Sequence, residues 1–169
     1  MDALDVLVDA FGRALDDVRR AVTGLDADAL SHRPDADSNH VAWLVWHLTR
    51  VQDDHVADLA GTEQVYTAAG WADRFALDLD PSSMGFGHTR EDVAKVQVDD
   101  PGLLVGYLES VHERTVSYLR SLSESDLDEV IDDAWDPPVT RGVRLISVVD
   151  DDIQHAGQAA YVAGLARRR

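Results

Sequence analysis

The chain contains no cysteine. Disulfides, thiolate metal ligands and a cysteine nucleophile are therefore excluded, and any thiol chemistry must use a thiol carried in by another molecule. Lysine is almost absent as well, Lys95 being the only one, so nearly all the cationic side chains are arginines. Positive charge is scarce: 15 Lys and Arg face 32 Asp and Glu, a formal net charge of −17. Nucleic acids and anionic lipid are bound by neutralising phosphate with Lys and Arg, so this balance argues against both partners. No apolar run is long enough to span a bilayer. The opening Met1-Asp2-Ala3-Leu4-Asp5-Val6 lacks the basic start and apolar core of a secretion signal, and a cytoplasmic protein is expected.

What remains is ordinary globular material. At 169 residues, with 45% apolar and 28% charged side chains, the chain fits one domain, residues 1–169, with a substantial core. The abundance of Ala, Asp, Val and Arg fits a GC-rich bacterial genome.

Four segments carry helical periodicity. The first runs from about Ala3 to Gly24, with Leu4, Leu7, Val8, Phe11, Leu15, Val18 and Val22 on one stripe and Gly24 as its stop. The second runs from about Ser38 to Leu59, with Ser38 or Asn39 as cap, Gly61 as stop, and Val41, Leu44, Leu48, Val51 and Leu59 as core stripe. A third begins at Pro101, a residue suited to a first turn, and continues to about Leu122. The fourth spans about Gly142 to Leu165 and ends in Arg167-Arg168-Arg169, cations that favour a helix C-terminus without further purpose. The long connection from Thr62 to Asp100 holds Tyr66, Trp71, Phe75, Met84, Phe86 and His88, too many aromatic and large side chains for a disordered linker. Thr89 and Asp92 predict a capped short helix at Thr89–Val96 inside it. A connection of this length is either functional or a cover over one end of the core. Leu25–Leu30 and Leu122–Leu127 repeat one pattern of leucine, capping residue, acids and leucine, which makes helices two and four counterparts in a two-hairpin plan.

Those two helices carry the residues of interest. Asp151 and His155 are four apart, so they stack on one face with Cβ atoms about 5–6 Å apart, close enough to share an ion. Val148, Asp152, His155, Ala159 and Val162 form a face expected to point inward, with Asp151 at its edge. Polar groups on such a face need partners. If helices two and four are neighbours, His47 leans in from the border of its own stripe and completes a set of two imidazoles and one carboxylate. Three such ligands leave room for water or substrate, the arrangement of catalytic metals. The plainer alternatives are a surface ion pair and a packed, hydrogen-bonded histidine.

The run Trp43-Leu44-Val45-Trp46-His47-Leu48, taken with His155-Ala156-Gly157-Gln158, resembles the DinB-like superfamily. The likeness covers nearly the whole chain, and it is greatest to the actinobacterial branch of mycothiol-dependent enzymes that includes maleylpyruvate isomerase. It implies an all-α, DinB-like four-helix bundle, often a homodimer, with the long connection between helices two and three partly ordered. It implies metal ligands on the second and last helices, and these fall on His47, Asp151 and His155. At position 151 the family more often has His or Glu. Asp is one methylene shorter than Glu and reaches an ion only from a closer backbone, which bears on metal affinity and identity.

Three further residues are candidates for substrate binding. Arg144, two turns before Asp151, could hold an anionic group, or pair with a surface aspartate. Gln158 could bond His155 or a bound ligand, or make an amide bond within the bundle. Trp43, one turn before His47, could wall the site or belong to the core. His55 is too far along to share the ion, His112 reads as a solvated residue, and Asp132–Pro138 reads as an ordered loop, not a cation site.

The functional expectation is a metal-dependent, mycothiol-type thiol transferase or isomerase acting on a small electrophile. Its ion would be zinc, with nickel or iron as alternatives, and its cosubstrate a low-molecular-weight thiol. No general base is identifiable. The competing readings are a metal-dependent hydrolase, an iron oxygenase site of the two-His, one-carboxylate type, and a non-enzymatic stress or ligand-binding protein with a degenerate site.

Overall fold

The computed structural model describes all residues 1–169. Four long helices make a bundle: α1 (Ala3–Val22), α3 (Val41–Ala60), α7 (Pro101–Leu119) and α8 (Arg141–Ala166). Between them lie α2 (Ala27–Ser31), α4 (Val65–Ala68), α5 (Trp71–Phe75), α6 (Arg90–Lys95) and a 3₁₀ turn at Glu124–Asp128. A two-stranded antiparallel ribbon, β1 (Val130–Asp132) with β2 (Val139–Thr140), leads into α8. The fold is all-α, as expected. α8 packs along both α1 and α3, and α7 closes the other side against the same two helices. No helix is long and apolar enough to cross a membrane.

The local reasons are mostly those in the sequence. Asp2 and Asp5 form a capping box on α1, Thr89 and Asp92 form another on α6, and Gly61 stops α3 in a left-handed conformation. Two details differ from expectation. The cap of α3 is His40, not Ser38 or Asn39: its Nδ1 accepts the Trp43 N–H at 3.1 Å, and its Nε2–H donates to the Val93 carbonyl at 3.0 Å. α3 is also buried almost all round from Val41 to Arg50, because the connection from residue 62 to 100 folds back over it. A single apolar stripe therefore describes α3 poorly.

The caps make a prediction about acid. Protonated His40 would lose the lone pair it offers Trp43, and burial holds its pKa below the usual 6.5 despite the Val93 carbonyl. A histidine with a depressed folded pKa leaves stability intact above about pH 6.5 and removes it as pH falls below that value. Urea midpoints measured from about pH 8 to about pH 5 are expected to decline, and His40→Asn, which keeps a capping oxygen, to flatten the decline. An unchanged slope in that variant would remove His40 from the account.

The core divides into two apolar clusters. The larger holds Leu15, Val18, Leu44, Leu48, Leu108, Val111, Ala156 and Ala159 among others; the smaller holds Leu7, Phe11, Leu119, Leu145, Val148 and Val149. At the level between them lie three buried polar residues, Gln52, Thr115 and Asp152. Gln52 donates to Thr115 Oγ at 2.7 Å, whereas neither carboxylate oxygen of Asp152 has a partner. The centre of the inward face of α8 is thus Asp152 with Ala156, and His155 sits at its border beside Asp151. His112 is half-buried, with Nδ1 shielded, because α7 lays it beside Gly12 of α1; it is not the solvated residue expected.

Candidate metal centre

α3 and α8 are direct neighbours, so the condition for convergence is met. His47 from α3 and Asp151 and His155 from α8 each offer one ligand atom, and the three atoms lie within 4.8 Å of one another. A tetrahedral ion with bonds near 2.1 Å needs ligand atoms roughly 3.4 Å apart, so small side-chain rotations close the set. His155 Nε2 is already 3.6 Å from Asp151 Oδ1, and the His47 and His155 rings meet edge to face at 4.9 Å between centroids.

The outer bonds decide which nitrogen each imidazole presents. His47 Nδ1–H donates to the Met84 carbonyl at 2.5 Å, and His155 Nδ1–H donates to Gln158 Oε1 at 2.8 Å. Both rings therefore keep the Nε2 lone pair for the shared point, the arrangement that second partners impose on metal-binding histidines. Gln158 acts here as an acceptor from His155, not as a donor to it. Burial lowers the His47 pKa, and the Met84 carbonyl and Asp151 oppose this only in part, so the ring is neutral and ready to coordinate at neutral pH. Asp151 Oδ2 is buried without a hydrogen-bond partner. Such an orphaned acceptor beside two lone pairs is what a cation would satisfy, and the residues fit a divalent ion.

The remaining candidates separate. Trp43 stacks on His47 at 4.5 Å and 18°, so it does wall the site. Gln158 belongs both to the His155 bond and to a groove of about 810 Å³ between the segment at Pro34–Asn39 and the outer turns of α8. Arg144 is turned toward His55 Nδ1, at 3.2 Å, and Asp132, at 3.9 Å, so it pairs with an aspartate at the far end of the α3–α8 seam.

The wall opposite α8 comes from the long connection between α3 and α7. Residues Pro81–His88 cross over His47. Gly85, at φ +95°, lies so close that a Cβ there would stand 2.8 Å from His47 Nδ1 and 3.1 Å from the Trp43 ring. His88 accepts the Trp43 indole N–H on Nδ1 at 3.2 Å, so its Nε2–H points to Ser83 Oγ at 2.9 Å. This leaves no free lone pair on His88 for proton abstraction. The only signal available in advance was the Gly85-Phe86-Gly87 triplet, a pairing that favours unusual backbone angles.

Fold and site together define a helical bundle with a two-imidazole, one-carboxylate centre built on facing helices. The DinB superfamily model matches residues 10–159, and the chain belongs to that superfamily. It is also similar to a solved structure described as a conserved protein from Enterococcus faecalis, with 33% identity and a TM-score of 0.93 over 100% of this chain and 99% of that one. No curated protein sequence matches the chain closely.

Proposed function

We propose that the protein is a metal-dependent thiol transferase or isomerase of the mycothiol type, acting on a small electrophile. The observation that carries this reading is the triad itself: two tautomer-fixed imidazoles and one orphaned carboxylate oxygen in a chain that has no thiol of its own. A divalent ion held there, zinc first, supplies a Lewis acid beside which a thiol is acidic enough to react as a thiolate.

The protein's own groups then have limited tasks. His47, Asp151 and His155 hold the ion. Trp43 shields one face of His47 from water. Gln158 fixes His155 and forms part of the groove wall where the body of the thiol would lie. That groove includes Asp35, Asp37, Asn39 and Gln154 but no Lys or Arg, which suits an uncharged, hydroxylated thiol better than an anionic one. Arg144, already paired with Asp132 and donating to a His55 that burial and Arg144 keep neutral, is left out of the substrate contacts. The Nδ1–H bonds of both ligand histidines, and the two bonds of His88, leave no nearby imidazole free as a base. The thiol proton therefore passes to solvent.

Cobalt substitution followed by thiol titration tests the reading. A sulfur-to-cobalt charge-transfer band that grows with mycothiol, or with a neutral surrogate such as 1-thioglycerol, is expected. One ion per chain without any band would remove the transferase reading and leave a DinB-like metal-binding protein.

A further inference from the structure

The metal reading assigns three ligands and their immediate partners, but it leaves unexplained a fully buried arginine one turn from His47. Arg50 has no solvent exposure, and its guanidinium spends four bonds on fixing other groups. Nε–H donates to the Ser83 carbonyl at 3.2 Å, and Nη2 donates to the Pro81 carbonyl at 3.0 Å. Nη1 donates to Gln64 Oε1 at 2.7 Å and to the Tyr107 hydroxyl at 3.3 Å. Asp53, 3.7 Å away, balances the charge and is itself held by the Val65 and Tyr66 amides and the Tyr107 hydroxyl. The Tyr66 ring covers the guanidinium at 4.2 Å. Burying so polar a group is tolerable only because nearly every donor is met.

The two carbonyls that Arg50 grips, Pro81 and Ser83, lie just before Met84, with Ser83 adjacent to it, and the Met84 carbonyl accepts the His47 Nδ1–H. Gly85 follows, pressed on His47, Trp43 and Trp46. Arg50 and His47 stand three apart on α3, so one helix turn carries both the ligand and the clamp for the loop that orients it.

We infer that Arg50 is a positioning residue for the metal centre: by gripping the Pro81 and Ser83 carbonyls it places the Met84 carbonyl, and so fixes His47 as the tautomer with Nε2 free. The inference rests on the metal reading for its consequence, but not for its geometry, which is built from the chain's own hydrogen bonds. A planar fork can hold two carbonyls, an amide and a hydroxyl together, and a lysine ammonium cannot. Arg50→Lys therefore keeps the charge beside Asp53 and loses the clamp.

Two measurements on the purified chain test this. In the metal-free protein, imidazole ¹⁵N spectra are expected to show His47 wholly as the Nδ1–H form in wild type and as a mixture in Arg50→Lys. In zinc titrations, Arg50→Lys is expected to bind roughly 10- to 100-fold more weakly, the usual cost of removing a group that orients a ligand. Gln52→Leu serves as the control, because Gln52 is buried on the same helix but bonds Thr115, not the loop; both readouts are expected to stay at wild-type values. Should Arg50→Lys fail to fold, Gly85→Ala decides, since its Cβ would press on His47 and displace the loop that Arg50 grips while leaving Arg50 itself in place. A single Nδ1–H form with wild-type zinc affinity in Arg50→Lys, or in Gly85→Ala where that variant decides, overturns the inference. So does an equal loss of affinity in Gln52→Leu. Wild-type protein that takes up no zinc sinks the metal reading instead, and the tautomer measurement still judges Arg50.

Discussion

Alanine at His47 or His155 is expected to strip the protein of its ion: about one divalent metal per chain in wild type, background in either variant. Zinc held by four protein ligands in small domains is worth about 10–16 kcal/mol, or roughly 3 kcal/mol for each ligand, so the loss of one weakens binding about 100-fold or more. Elemental analysis of the purified proteins gives the first readout and thermal melting gives the second. An ion present at 100 times its dissociation constant stabilises the native state by about 2.7 kcal/mol. A chelator is therefore expected to lower the wild-type Tm by roughly 5–10 °C and to leave both variants unmoved. The opposite pattern, variants less stable but equal in metal content, would show that the three side chains form only a hydrogen-bonded cluster.

Asp152→Val is expected to stabilise the protein. The native carboxyl is fully buried with both oxygens unpartnered, and burial together with the Asp151 charge pushes its pKa well above the carboxylate range. At neutral pH the unfolded chain carries this group ionised in water, while the folded chain must keep it neutral or bury a charge, and either choice costs stability. Valine is close in volume and would join the two apolar clusters that Asp152 now separates. Replacing a buried ionisable group by an apolar one of similar size is often worth about 1–4 kcal/mol, and each kcal/mol raises Tm by roughly 2–4 °C at this chain length. Differential scanning calorimetry near neutral pH is sufficient. A variant that melts lower than wild type would mean that the carboxyl has a partner, such as an ordered water, supporting it.

Much of this was legible in the residues. The periodic stripes located α1 and α8 to within a residue or two, Pro101 marked the start of α7, and the Thr89–Asp92 capping box marked α6. The convergence of His47, Asp151 and His155 also follows from helical spacing once α3 and α8 are adjacent, a condition that the repeated leucine pattern, which made them counterparts, left open. Other features depended on contacts distant in sequence. His40 caps α3 because Val93, 53 residues later, accepts its second nitrogen, and no local signal announces that. The Met84 carbonyl is a backbone group, which has no letter of its own in a sequence. Arg50 looks like an ordinary charged residue on a helix until the connection from residue 62 to 100 is laid over it. The ribbon of β1 and β2 is only five residues of strand, too short for alternation to show. The partners of Arg144, both at the seam's far end, were likewise fixed by tertiary packing.

The loop that carries Met84 and Gly85 donates no side chain to the shared point, yet it sets the angle at which one imidazole meets it. Ligation and adjustment are thus housed in different parts of the chain: the first on rigid helices of the bundle, the second on a surface crossing. Phe86, the next residue along, is 92% exposed. Changes confined to these few surface positions can retune the His47 ring while the helices that carry the triad stay as they are.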